Sequence, residues 1–174
     1  MRLRFYRVDE DYTDELRKIN PKGVTINQSG HVNTYVGILF IINGYKYIAP
    51  LTHTTLVNKW HQQPIRIINN LGQNTNNLGT ILFHNMIPVY DEVYTEVDLD
   101  SYREVDIRRY NLYAEQLIWM NETQNKKTII EKAELTYNVH LDENHPDHYF
   151  LNNVLYCNFS GLENKMSEII QNDR

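Results

Sequence analysis

The sequence predicts an α+β protein in which helices cover an antiparallel sheet. Two observations carry this. A run of mostly β-branched and aromatic residues, Tyr35 to Ile42, meets Asn43-Gly44 and is followed by a second such run from Tyr45. Asn-Gly between apolar runs is the strongest short-range hairpin signal, because both turn positions need positive φ. From residue 101 onward the apolar period changes from about two to about 3.6, which marks helices. The chain of 174 residues has no Pro/Gly-rich linker and no internal repeat, so residues 1–174 are expected to form one domain.

The elements follow in order. Leu3 to Val8 reads as a short strand with Leu3 and Phe5 on one face. Tyr12, Leu16 and Ile19 fall at helical spacing, and Pro21 ends that helix. Residues 22–33 are polar and loop-like. In the hairpin, the two-residue turn fixes a register with Tyr35 opposite Thr52 and Asn33 beyond Thr54. Pro50, which has no N–H to donate, is expected to stop the ladder. Pro64 to Ile68 is a further strand, with Ile65 and Ile67 on one face and Arg66 on the other. Asn69 to Asn77, rich in Asn, Gln and Gly, reads as an exposed loop. Thr80 to Phe83 is a short strand; Met86 to Val89 either continues it or pairs elsewhere after a break at His84-Asn85.

Three apolar stripes follow: Tyr110, Ala114, Leu117 and Ile118; then Ile130, Ala133 and Tyr137; then Leu162, Met166, Ile169 and Ile170. They read as core-facing helix sides. Ser160 and Glu163 have the spacing of a capping box for the last helix.

Composition narrows the function. A hydrophobic share of 41% places the chain among globular proteins, not disordered ones. The formal charge of −5 argues against a plain DNA-coating protein, which would be basic. Charge is nonetheless polarised. Acidic residues concentrate at Asp9 to Glu15 and Asp91 to Asp106, whereas Val57 to Leu82 holds Lys59 and Arg66 and no acid, so a local phosphate-binding patch stays open. Thirteen tyrosines against five phenylalanines suit a wet binding surface, and equally a Tyr-rich proteome. Cys157 is the only cysteine, so an internal disulfide and a four-cysteine zinc site are excluded, and a reducing compartment is expected. Its expected place is as a small buried residue. The first residues, Met1 to Tyr6, contain no apolar signal core, and no run approaches the roughly 20 residues that span a bilayer. A cytoplasmic protein without membrane contact is expected.

Several chemistries lack their motifs: a Gly-rich phosphate loop, a nucleophile elbow, a dinucleotide fingerprint. His140, His145 and His148 have irregular spacing for a zinc site, so neither metal nor cofactor is expected. The hairpin exit is richer. Thr52, His53, Thr54 and Thr55 follow Pro50, and His31 precedes the first hairpin strand, so both histidines leave the same sheet end. Two readings stand. They form a general acid and general base near neutral pH, or they are two exposed loop histidines. Lys59-Trp60-His61 with Arg66 combines cations and an aromatic ring that can contact phosphate and stack a base; Trp60 can equally anchor the core. Arg108-Arg109 reads as pairing with Asp106 or Glu104 rather than reaching RNA.

Taken together, Leu3-Arg4-Phe5-Tyr6, Tyr35-Val36-Gly37-Ile38, Gly44-Tyr45-Lys46-Tyr47-Ile48-Ala49-Pro50-Leu51-Thr52, Lys59-Trp60-His61, Leu78-Gly79 and Asn85-Met86-Ile87-Pro88-Val89 resemble the ToxN/AbiQ family of type III toxin–antitoxin endoribonucleases. A weaker match reaches Arg109-Tyr110 and Gln116-Leu117. The resemblance implies a strongly curved antiparallel sheet similar to the barrel core of MazF/Kid toxins, with added helices. It implies metal-independent cleavage by attack of the ribose 2′-OH, leaving 2′,3′-cyclic phosphate and 5′-OH ends. The implied partners are a small structured, repeat-derived antitoxin RNA, processed by the toxin and closed with it in one assembly, and cellular and phage RNA as substrates, in abortive infection.

The resemblance also sets the expected site. Members carry a hydroxyl pair after Pro-Leu and a Lys soon after; here Thr52 matches the first hydroxyl, His53 stands at the second, and the next Lys is Lys59. Some members have a Lys where this chain has Asn33. The expectation is therefore His53 as an acid–base group, Thr52 and Thr54 on the phosphate oxygens, and either His31 or Lys59 with His61 in the second proton-transfer or charge-stabilising role, with Tyr35, Asn33, Lys59, Trp60, His61, Arg66 and Asn85 binding RNA. A non-catalytic RNA- or protein-binding module is the competing expectation, favoured by the acidic charge and the missing Ser/Lys pair; a structural protein of a phage or mobile element is a weaker one.

Overall fold

The structure is a computed structural model describing residues 1–24, 35–52 and 63–172. The elements are β1 (Phe5–Val8), α1 (Glu10–Ile19), β2 (Tyr35–Ile42), β3 (Tyr45–Thr52), β4 (Gln63–Ile68), β5 (Asn74–Ile81), β6 (Ile87–Val89) and β7 (Tyr94–Glu96). Helices α2 (Asp100–Val105), α3 (Ile107–Asn121), α4 (Thr123–Leu141) and α5 (Phe159–Asn172) follow. All described pairings are antiparallel, in the order β4-β5-β3-β2-β1-β7, with β6 also on β3. The sheet is curved and, among the described residues, stays open: β4 and β7 form its edges.

The hairpin has the register that its turn dictates. Asn43 and Gly44 sit at φ 50° and 82°, and the pairing runs from Ile42↔Tyr45 to Gly37↔Pro50. Pro50 does not end the strand. β3 continues to Thr52 and changes partner, pairing Leu51 with Ile81 and Thr52 with Thr80. The Pro50 carbonyl accepts from Leu82 N at 2.9 Å. In a strand the N and O of one residue point the same way, so the missing N–H faces the junction where β6 gives way to β5, and the β2 ladder loses nothing. Gly37 lets the two hairpin strands close up, since a Cβ there would lie 2.1 Å from the Ala49 carbonyl oxygen.

Away from the turn, strands β2 and β3 are buried on both faces. Ile38, Phe40, Tyr47 and Ala49 pack with Met120, Ile129, Ala133 and Tyr137 from α3 and α4. Tyr35, Leu39 and Ile48 pack on the other face with Tyr12 and Leu16 of α1 and Leu162 and Met166 of α5. Each buried Ile, Leu, Phe or Met among them contributes about 1.5–3 kcal/mol of burial. Helices thus cover the sheet as the period change predicts, with one refinement: the coverage is two-sided.

Four local expectations are corrected. Asn74–Asn77 is strand, not loop; the turn closes earlier, at Asn69 to Gly72, whose φ is 76°. A polar, exposed edge ribbon carries no alternation of apolar residues to announce it. Ile67 does not share the buried face of Ile65, being 40% exposed, because irregularities interrupt the β4–β5 ladder around Arg66 and Ile68. The buried face of α3 is Gln116 and Met120, with Tyr113 against Phe5 at 4.8 Å between ring centres, whereas Ile118 is 69% exposed. Finally, the first turn of α5 is capped by Asn158, whose Oδ1 accepts from Gly161 N at 3.2 Å. Glu163 instead receives the hydroxyls of Tyr47 and Tyr137 (the latter at 3.0 Å), tying α4 and α5 to the middle of β3. Burial first, and the Glu163 carboxylate second, push the Tyr47 phenol well above its ordinary range.

The break at His84-Asn85 is a 3₁₀ turn, Phe83–Asn85, after which β6 pairs with β3 rather than prolonging β5. Cys157 is buried, its Sγ donating to the His84 carbonyl at 3.5 Å, and burial pushes its thiol up to about 12. Arg109 pairs with Asp106 at 3.5 Å. Among the described residues no helix is long and apolar enough to cross a membrane.

His140 and His148 are tied to Asn152: His140 Nδ1 lies 2.7 Å from Asn152 Oδ1, and Asn152 Nδ2 lies 2.9 Å from His148 Nε2. His140 Nε2 accepts from Ser160 N at 3.5 Å, in the first turn of α5. Burial is the main cause that holds the His140 pKa below its ordinary value. A protonated imidazole would lose that acceptor and set a cation at a helix N-terminus. A depressed folded-state pKa means stability that is complete above the unfolded value of about 6.5 and is lost as pH falls through the folded value. Thermal melts from pH 7.5 to 5 should therefore show a falling midpoint, and His140→Gln should flatten that slope; an unchanged slope in the variant contradicts it.

Candidate active site

Because β2 and β3 are antiparallel, the chain enters β2 and leaves β3 at the same end of the sheet. Residues 25–34 join that end at Tyr35, and residues 53–62 span from Thr52 to Gln63. At this end β3, β5 and β4 set Thr52, Thr80 and Pro64 in one row across the sheet. Thr52 is half-buried and Thr80 is 1% exposed.

The row is held tightly. Gly79 adopts φ 120°, and a Cβ there would lie 2.7 Å from the Thr52 carbonyl oxygen, so only glycine fits without displacing the β3 exit. Gln116 of α3 donates its amide to the Leu78 carbonyl at 2.5 Å. Its Oε1 is buried with no hydrogen-bond partner among the described residues. A helix thus reaches down to pin the strand that pairs with Thr52.

The sequence-predicted residues divide into three groups. His31, Asn33, His53, Thr54, Lys59, Trp60 and His61 lie outside the described residues. Thr52 stands at the sheet end as expected. Tyr35 and Asn85 are expected on an RNA-facing surface but their side chains are only 3% and 5% exposed. The Tyr35 hydroxyl donates to the Asn85 carbonyl and lies 3.3 Å from that of Ile48. Asn85 Nδ2 donates to the Gly23 carbonyl at 2.8 Å. Both therefore support the point from which residues 25–34 depart, and offer little surface to a ligand in this structure. Burial raises the Tyr35 phenol far above its ordinary range, so it stays a neutral donor.

Arg66 is half-buried on β4, and its Nε has no partner among the described residues. It lines a cleft of about 640 Å³ between β4 and α3, with Gln63, Glu115, Trp119 and Glu122 on the same walls. Thr80, Gln116, Glu115 and Trp119 were not legible as site residues. A polar residue inside an amphipathic helix, such as Gln116, is the one signal that could have drawn notice.

The fold and the sheet end define an α+β protein with an open, curved antiparallel sheet, helices on both faces and a polar exit at the end of its central hairpin. The chain belongs to the family of the toxin ToxN of type III toxin–antitoxin systems, whose family model matches residues 4–167. It is 33% identical over 172 residues to endoribonuclease AbiQ of Lactococcus lactis subsp. lactis, covering 95% of this chain and 88% of that one. It is 30% identical over 173 residues to endoribonuclease ToxN of Bacillus thuringiensis subsp. kurstaki, covering 98% and 86%. A solved structure from a type III system, in which a non-coding RNA pseudoknot selectively inhibits the toxin, superposes with a TM-score of 0.79 at 28% identity, covering 98% of this chain and 99% of that one.

The Gln116 amide is the side-chain donor to the Leu78 carbonyl. Gln116→Leu should lower the unfolding free energy by about 1–3 kcal/mol, the usual cost of stranding a buried acceptor. Urea titration checks this, and a variant as stable as the parent contradicts it.

Proposed function

We propose that this chain is a sequence-specific endoribonuclease toxin of a type III toxin–antitoxin system that cuts RNA by 2′-OH transesterification. The observation that carries the reading is the sheet end. There the β3 exit, whose residues continue into His53 and Thr54, is clamped by β5 and Gly79 in a chain whose named relatives are endoribonucleases.

The chemistry needs a base, an acid and stabilisation of charge on the phosphate. The 2′-hydroxyl proton passes to one histidine as the O2′–P bond forms. The P–O5′ bond breaks, and the second histidine returns a proton to O5′. The products are a 2′,3′-cyclic phosphate and a 5′-hydroxyl, with no metal required. His53 and His31 take the two proton-transfer roles. Thr52 and Thr54 donate to the non-bridging oxygens. Lys59 and His61 supply charge, Trp60 and Asn33 hold the RNA, and Arg66 approaches it from β4. Tyr35 and Asn85 act from beneath, by bracing the loop ends.

The relative inhibited by an RNA pseudoknot supports a structured, repeat-derived RNA as the antitoxin, processed by this chain and closed with it in one assembly. Cellular and phage RNA are then its targets in the cytoplasm, and abortive infection its outcome. The acidic net charge favours one other reading, a non-catalytic RNA-binding module.

Purified protein mixed with RNA decides between them. The parent should cleave, and His53→Ala should slow cleavage by about 10²–10⁴, the usual worth of a general acid or base. Full cleavage by His53→Ala contradicts the assignment of His53; RNA left intact by the parent favours the binding module.

A further inference from the structure

We infer that the cleft between β4 and α3 is a nucleobase subsite beside the cleavage site, built for a base that carries an exocyclic amino group. The inference rests on the reading of the sheet end as the RNA site.

The cleft has the size of a small-ligand pocket, about 640 Å³ against a usual range of about 300–1,000 Å³. Its walls mix apolar and polar side chains. Ile67 and Ile68 of β4 are 40% and 60% exposed, and Ile118 of α3 is 69% exposed, flanking the half-buried Trp119. Large side chains on both walls of the cleft suit a flat aromatic guest, and an indole offers a broad face on which a base can stack.

The polar groups then choose which part of a nucleotide enters. Glu115 and Glu122 line the cleft, and Glu115 has no ion pair among the described residues. Asn125 fixes Glu122, donating to its Oε2 at 2.9 Å, and donates as well to the backbone carbonyl of Trp119 at 3.0 Å. Ionised carboxylates only accept hydrogen bonds and repel phosphate. A backbone phosphate is therefore disfavoured between them, whereas an amino-bearing base edge is matched. Adenine, cytosine and guanine present such an edge; uracil presents carbonyl oxygens on either side of its single N–H. Among the described residues Arg66, whose Nε lacks a partner, is the one cation lining the cleft.

The place in the fold links this cleft to the reaction. Pro64, on its wall, pairs with Thr80, and Thr80 pairs with Thr52. Two strand spacings, about 10 Å, separate the cleft wall from the β3 exit. One RNA strand can therefore place a base in the cleft and a phosphate at Thr52, so that the cleft reads sequence next to the cut.

The chain has two tryptophans, so Trp60→Phe leaves Trp119 as the only indole reporter. In that background, AMP should quench the fluorescence saturably and UMP about tenfold more weakly, and Glu115→Ala, at an exposed helical position, should weaken AMP by about tenfold. Absence of saturable quenching by AMP, CMP and GMP, equal quenching by UMP, or unchanged AMP affinity in Glu115→Ala overturns the subsite. Cleavage of a mixed-sequence RNA pool by the parent is read separately. Binding without cleavage leaves the subsite standing and removes the nuclease reading; cleavage without binding does the reverse.

Discussion

Everything at the functional end depends on β3 being paired along both edges, with a change of partner at Pro50. One edge is fixed by β2 through the Asn43-Gly44 turn. The other is held first by β6 and then by β5. The absent N–H of Pro50 falls at the handover, where a ladder hydrogen bond is least needed. Because strand side chains alternate, a slip of one residue in this register would turn the exit to the opposite face. The turn chemistry and the two-sided burial of β2 and β3 make such a slip costly, and so give the residues after Thr52 a defined point of departure.

The helices do more than cover the sheet. Glu163 joins α5 to Tyr47 in the middle of β3 and to Tyr137 on α4. Gln116 of α3 pins Leu78, next to the glycine that lies against Thr52. On the opposite face, Tyr12 of α1 donates to the Pro88 carbonyl on β6 at 2.8 Å. Each contact joins a helix to β3 or to a strand paired with it, so the three are one bracing system rather than separate decorations. Asn20 extends it to the segment before residue 25: it donates to the Tyr156 carbonyl at 2.7 Å and accepts from Gly23 N at 3.0 Å.

The fold class, the hairpin and its register were readable because turn chemistry and hydrophobic period act locally. The same local logic failed where tertiary contacts overrule it. Asn74–Asn77 forms a strand with no apolar pattern because β4 supplies its ladder. Glu163 has capping-box spacing but meets two phenols from distant parts of the chain. The α3 stripe departs from expectation at Ile118, because Gln116, a polar residue, takes a core position, while Leu117 packs against the core as expected. At the candidate site, the place of Thr52 at the sheet end was legible from the hairpin. Tyr35 and Asn85 read as surface groups, yet their polar atoms are spent on internal carbonyls. The Glu115–Trp119 wall was not legible, since its partner, β4, lies about 50 residues earlier in the chain.

The chemistry at the end of cleaved RNA tests the central claim most directly. A 2′-OH attack leaves a signature that no water-driven hydrolysis can imitate, because the new phosphodiester stays within one ribose. Purified protein should cleave RNA in the presence of EDTA and release fragments bearing 2′,3′-cyclic phosphate and 5′-hydroxyl ends. Fragments with 5′-phosphate ends, or cleavage abolished by EDTA, would contradict it.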